Sequence, residues 1–139
     1  MAGSGDNQGQ TGQTGRAKAD PPIDLRGRSV LLAEDEFMVA LNIQVELEAC
    51  GANVTVVDSV ADGLPLAGNG FDVAVLDVRL ADGDVFPLAD ALIQGGVPIV
   101  FHSGHADTGE LEAAYPGAHA LPKPCWGSEV ARTVGMAAA

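Results

Sequence analysis

Residues 71–77 read FDVAVLD, and the middle of this run decides what kind of sheet the chain can build. From Val73 to Leu76 no polar residue interrupts it. A strand with one wet face alternates polar and apolar residues, whereas a strand covered on both faces stays apolar throughout, the habit of parallel sheets. The run then stops on a carboxylate, Asp77.

Working outward, short apolar runs of the same kind alternate with helical patterns. SVLLA (29–33), NVTVVD (53–58), VPIVFHS (97–103) and AHALP (118–122) read as the other four strands. FMVALNIQVELEAC (37–50) sets Leu41, Val45 and the group Ala40, Ile43 and Leu47 at helical spacing, with Gly51 as a left-handed cap. SVADGLPLAG (59–68) opens with Ser-x-x-Asp but meets Gly63 and Pro65, which predicts a short or bent helix. DVFPLADALIQGG (84–96) tolerates Pro87 in its first turn and stops at Gly95-Gly96. DTGELEAAY (107–115) gives a brief helix before Pro116, and a last helix starts near Ser128. This alternation predicts an α/β flavodoxin-like (βα)5 domain, a doubly wound parallel sheet in strand order 2-1-3-4-5.

The chain has 139 residues, 47% of them hydrophobic, enough for one core. Composition shifts near residue 28. Residues 1–28 are rich in Gly, Gln, Ser and Thr and are expected to be a disordered tail ahead of a domain over 29–139. The tail holds four of the seven basic residues and three of the nineteen acidic ones, which leaves three against sixteen in the domain. A net charge of −13 there argues against a nucleic-acid surface. No run approaches the roughly 20 apolar residues of a membrane span, and the N-terminus lacks a secretory apolar centre, so the expected address is cytoplasmic, with no membrane partner. Cys50 and Cys125 are too few for a disulfide scaffold.

In this strand order a ligand crevice opens beyond the carboxyl ends of strands 1 and 3. Glu34 and Asp35 follow strand 1, and Asp77 ends strand 3. Crowded carboxylates repel and raise one another's pKa unless a cation joins them. Mg²⁺, a hard ion that takes oxygen ligands and keeps several waters, is the simplest remedy. Asp35 and Asp77 would ligate it directly, Glu34 through water, and the backbone carbonyl of Arg79 would complete the set. Ser103 ends strand 4, and Lys123, the one lysine of the domain, follows strand 5. Such a lysine and hydroxyl suit the oxygens of a transferred phosphoryl group, with Asp77 as the acceptor.

An acid pair, an acceptor Asp, Ser and Lys-Pro at strand ends in this order resemble the CheY-like receiver domain of two-component response regulators. The resemblance covers about residues 29–135. It assigns the acid pair to Glu34 and Asp35, the phosphoacceptor to Asp77, the switch hydroxyl to Ser103 and the lysine to Lys123. LDVRLADGDVFPLADAL (76–92) with VPIVFHSGHA (97–106) is similar to the single-domain subfamily nicknamed FAT GUY, whose Phe-x-(Thr/Ser)-Gly motif falls on Phe101, His102, Ser103 and Gly104. The resemblance implies a stand-alone phosphoacceptor and not an enzyme. It also implies a histidine kinase, of the HWE or HisKA2 type, or a histidine phosphotransfer protein upstream, with output by contact, shuttling or acting as a phosphate sink.

Competing readings are weaker. A haloacid-dehalogenase-type phosphatase uses a second Asp two positions after its nucleophile, where this chain has Arg79. An unphosphorylated interaction domain would have no need of the acid pair and lysine. His102, His105, His119 and Cys125 show no zinc spacing. Glu36 reads as a first-turn helix residue, Asp82 and Asp84 as residues of the turn at Gly83, and Trp126 and Tyr115 as packing on the helices. Receivers ordinarily carry an aromatic switch residue three positions before the lysine; here that position is Ala120, with Tyr115 as an alternative source of the ring. Order and disorder of helix 4 and strand 5 would then transmit phosphorylation. Amide exchange across residues 104–120 is expected to change on phosphorylation, and unchanged exchange there would eliminate this route.

Overall fold

The structure is a computed structural model that describes residues 22–104 and 108–139. Its centre is a five-stranded sheet: β1 (Ser29–Ala33), β2 (Asn53–Val57), β3 (Val73–Asp77), β4 (Ile99–Ser103) and β5 (His119–Pro122). The spatial order is β2-β1-β3-β4-β5, with every neighbouring pair parallel. This is the flavodoxin-like order expected from the strand pattern. All of β3 is buried, as its uninterrupted apolar run requires.

Side-chain alternation along the strands feeds two cores. Val30, Leu32, Val73, Val75 and Val100 face α1 (Phe37–Ala49) and α5 (Gly127–Ala137), which bury Ala40, Ile43, Leu47, Val130, Ala131 and Val134 against them. Leu31, Ala33, Ala74, Leu76, Ile99 and Phe101 face the opposite side. There α2 (Val60–Gly63), a following 3₁₀ turn Leu64–Leu66, α3 (Phe86–Gln94) and α4 (Thr108–Ala114) cover them. The interrupted α2 is the short helix that Gly63 and Pro65 predict, and Ser59 caps it by accepting from the Asp62 N–H at 3.1 Å. Between β3 and α3 a small antiparallel ribbon pairs Arg79–Leu80 with Gly83–Asp84.

Three rings meet on the α3/α4 side. Tyr115 stacks on Phe86 with centroids 5.9 Å apart and lies 5.2 Å from Phe101, while its hydroxyl donates to Asp90 Oδ1 at 3.0 Å. Phe101 is the register partner of Ala120, so the small residue on β5 stands beside a fully buried ring on β4.

Of the α1 positions at helical spacing, Ala40, Ile43 and Leu47 are buried, whereas Leu41 and Val45 are exposed, along with Phe37 and Met38. A one-sided sheet contact uses one stripe of a helix, and α1 carries two. Trp126, expected to pack on the helices, is instead 72% exposed. Asp82 does not merely shape its own turn: it accepts from the Val60 and Ala61 N–H groups at the start of α2. The folded part also begins earlier than Ser29, because Leu25 is buried and its N–H donates to Cys50 O at 2.7 Å. Residues 1–21, and with them most of the expected tail, lie outside the described residues, as do His105 and Asp107. Among the described residues no helix is long and apolar enough to cross a membrane.

That N-terminal segment rests on the cap of α1. Gly51 has φ +103°, and a Cβ there would meet Arg26 Cγ at 2.6 Å and Arg26 Cα at 3.0 Å. Both backbone strain and crowding therefore oppose a side chain. Gly51→Ala is expected to lower stability by about 1–3 kcal/mol, read as a lower urea midpoint at unchanged denaturant slope.

Candidate functional site at the carboxyl ends of the strands

Parallel strands deliver their C-terminal residues to one edge, and alternation decides which side each residue takes. Glu34, Asp77, His102 and Lys123 continue the parity of Leu32, Val75, Val100 and Leu121, the strand positions that face α1 and α5. Ser103 continues the opposite parity, next to Phe101.

Backbone pairing then fixes each residue. The Glu34 N–H donates to Val57 O at 3.0 Å, and the Glu36 N–H donates back to Glu34 Oε2 at 3.2 Å, which turns the carboxylate inward. Asp77 pairs in register with His102, and Ser103 with Pro122. The Lys123 N–H donates to Ser103 O at 2.6 Å, and the Lys123–Pro124 peptide is cis. Glu34, Asp77, His102 and Ser103 are all buried, whereas Asp35 is exposed.

The Lys123 ammonium sits among three carboxylates: 3.1 Å from Asp77 Oδ2, 3.2 Å from Glu34 Oε1 and 3.6 Å from Glu36 Oε1. It donates a hydrogen bond to Asp77. Toward Glu34 Oε1 it forms an ion pair that lacks hydrogen-bond geometry, so that oxygen has no hydrogen-bond partner. Burial, reinforced by the Asp77 charge, pushes the Glu34 carboxyl up to about 7. For Lys123 burial acts downward, but Glu34 and Asp77 outweigh it and raise the ammonium above its usual value. His102, buried and near that ammonium, is lowered to about 4.

Ligand oxygens of Glu34, Asp35 and Asp77 lie within 4.8 Å of one another, the one such grouping of potential ligand atoms among the described residues. Two like charges about 4 Å apart oppose each other by about 4 kcal/mol at an intermediate dielectric. The donor set is all oxygen, as Mg²⁺ prefers, and Glu34 Oε1 lacks a hydrogen-bond partner, so the residues present fit a hard divalent cation. Thus the structure brings together Glu34, Asp35, Asp77 and Lys123, and sets Ser103 on the adjoining strand. Arg79 directs its side chain away, to Asp84 at 3.4 Å. Sequence reasoning missed the ion pair of Glu36 with Lys123 and the approach of His102 Nδ1 to Glu34 Oε1 at 3.9 Å. Only the parity of position 102 pointed to the latter.

Solved structures share this arrangement of strands and helices. A response regulator receiver protein from Sinorhizobium medicae is 28% identical, with a TM-score of 0.73 over 83% of this chain and 97% of that one. The receiver domain of a Francisella response regulator is 26% identical, with a TM-score of 0.71 over 81% of this chain and 97% of that one. A CheY-like receiver domain from Methanospirillum hungatei, at 20% identity and TM-score 0.70 over 80% of this chain and 93% of that one, shares the fold. No protein-family model matches the sequence, and no curated protein matches it. The chain thus has the CheY-like receiver fold and is similar in sequence to response-regulator receiver domains.

Glu34 carries a stability consequence. Its folded-state pKa of about 7 lies above the ordinary 4.5, so its contribution is fully present below pH 4.5 and is lost as pH rises through 7. The groups facing it are Asp77, Asp35, Lys123, His102 and the Glu36 N–H. Glu34→Gln removes the buried charge. Without divalent ions it is expected to unfold at higher urea than wild type above pH 7, with the gain shrinking toward pH 4.5, as paired denaturation curves would show.

Proposed function

We propose that the chain accepts a phosphoryl group on Asp77 in a Mg²⁺-dependent reaction, from a histidine kinase or a histidine phosphotransfer protein. The observation that carries this reading is the Lys123 ammonium held 3.1 Å from Asp77 and 3.2 Å from Glu34 within a cluster of oxygen ligands. Glu34, Asp35, Asp77 and the Arg79 carbonyl would hold the cation, which supplies charge neutralisation to the phosphoryl oxygens.

An Asp77 carboxylate oxygen attacks phosphorus; the new O–P bond forms as the P–N bond to the donor imidazole breaks, and that nitrogen leaves with the bonding electron pair. Lys123, now paired with Asp77, transfers its contact to a phosphoryl oxygen as the acceptor's own charge is consumed. The Ser103 hydroxyl donates to another oxygen. With Arg79 two positions after the acceptor, in place of an acid/base, we read the product as a lasting aspartyl phosphate and the chain as a phosphoacceptor without turnover. Its output is phosphorylation-dependent contact, or service as a phosphate shuttle or sink. Membership of the FAT GUY subfamily is supported by Phe101, Ser103 and Gly104 in sequence, and by the buried Phe101 beside Ala120. That subfamily favours a kinase of the HWE or HisKA2 type.

Incubation with Mg²⁺ and acetyl phosphate, followed by intact mass measurement, tests the chemistry. A single phosphoryl adduct is expected on wild type and none on Asp77→Asn, with loss of the wild-type adduct when EDTA removes the metal. An adduct that persists on Asp77→Asn would misassign the acceptor. No adduct on wild type, with Mg²⁺ binding verified separately, would favour an interaction domain that has kept the pocket but not the reaction.

A further inference from the structure

Position 102 follows the alternation of Val100 on β4, which calls for an aliphatic side chain against α1 and α5. Instead an imidazole occupies it, 2% exposed, with neither ring nitrogen hydrogen-bonded. A buried polar group left this way opposes folding, because it has given up water and gained no partner. One nitrogen nevertheless has a direction: Nδ1 points at Glu34 Oε1 from 3.9 Å, and that oxygen is the other buried side-chain atom without a hydrogen-bond partner among the described residues. The two deficits face each other across the strands that carry the acid cluster.

The geometry points to His102 as a positioning residue that orients Glu34 for the divalent cation, with its Nδ1–H donating to Oε1 once the pair closes from its present 3.9 Å to hydrogen-bond distance. This rests on the reading of Glu34 as part of a cation site. Outer partners of this kind fix the lone pairs that a ligating carboxylate turns to the metal, and their loss costs about 10- to 100-fold in affinity. The closure is within reach of a short side-chain movement, because Lys123 now holds the same oxygen and is the group that a cation would displace. The Nδ1–H tautomer provides the donor without any added charge.

Calorimetric titration with Mg²⁺ alone tests the assignment. His102→Leu, which fills the space without a donor, is expected to bind Mg²⁺ roughly 10-fold more weakly. His102→Asn, whose amide nitrogen falls near Nδ1, is expected to restore most of the affinity, and His102→Gln, whose amide falls near Nε2, is not. Unchanged binding by the Leu variant overturns the proposal, as does failure of Asn to rescue at an unfolding temperature equal to wild type. A second readout needs no metal: long-range proton–nitrogen NMR of the imidazole is expected to place the proton on Nδ1, and a bare Nδ1 overturns the contact. Absence of Mg²⁺ binding by wild type, with Nδ1 protonated, would instead defeat the cation reading and leave His102 as an anchor of Glu34, which also overturns its role toward the ion.

Discussion

One ammonium set among carboxylates holds this structure's chemistry together. Among the described residues, Lys123 is the only cation within 4 Å of Glu34 and Asp77 apart from the weakly basic His102, and it also reaches Glu36. That arrangement exists only because residues far apart in sequence arrive at one edge of a parallel sheet. Strand order places β1 and β3 side by side; the register of β3 with β4, and of β4 with β5, then brings the lysine back to the acids. Any slip of one residue along a strand would reverse the faces and separate the charges.

The two sides of the sheet are consequently unequal. Titratable chemistry gathers on the parity that faces α1 and α5, while the α3/α4 side carries the aromatic group of Phe86, Phe101 and Tyr115. Ser103 belongs by parity to the aromatic side, two residues from Phe101 on the same strand. It thereby joins a charged side and an apolar one. The ring volume that Ala120 does not provide is supplied next to it by β4 and by the residue after α4.

Much of this was legible in the sequence. Uninterrupted apolar runs, glycine caps and proline positions located all five strands and the five helices between and after them, because those features reflect local sterics and burial on both faces. The acids, hydroxyl and lysine could be located at strand ends for the same reason. What escaped depends on distances that no local pattern encodes. Glu36 looks like a first-turn acid until Lys123 folds over it, and Asp82 looks like a turn residue until α2 presents two N–H groups to it. Leu41 and Val45 fit a helical stripe as well as Ala40 and Ile43 do, and only the choice of which stripe meets the sheet distinguishes them. Leu25 lay within a stretch dominated by glycine and polar residues.

The chain's single tryptophan and single tyrosine fall on opposite sides of the sheet. Trp126 stands exposed at a groove shared with Met38, His102 and Lys123, whereas Tyr115 packs within the aromatic group and binds Asp90. Intrinsic fluorescence is therefore already divided in space: red-edge excitation watches only the rim of the charged side, and energy passing from phenol to indole measures the separation of the two faces without any attached dye.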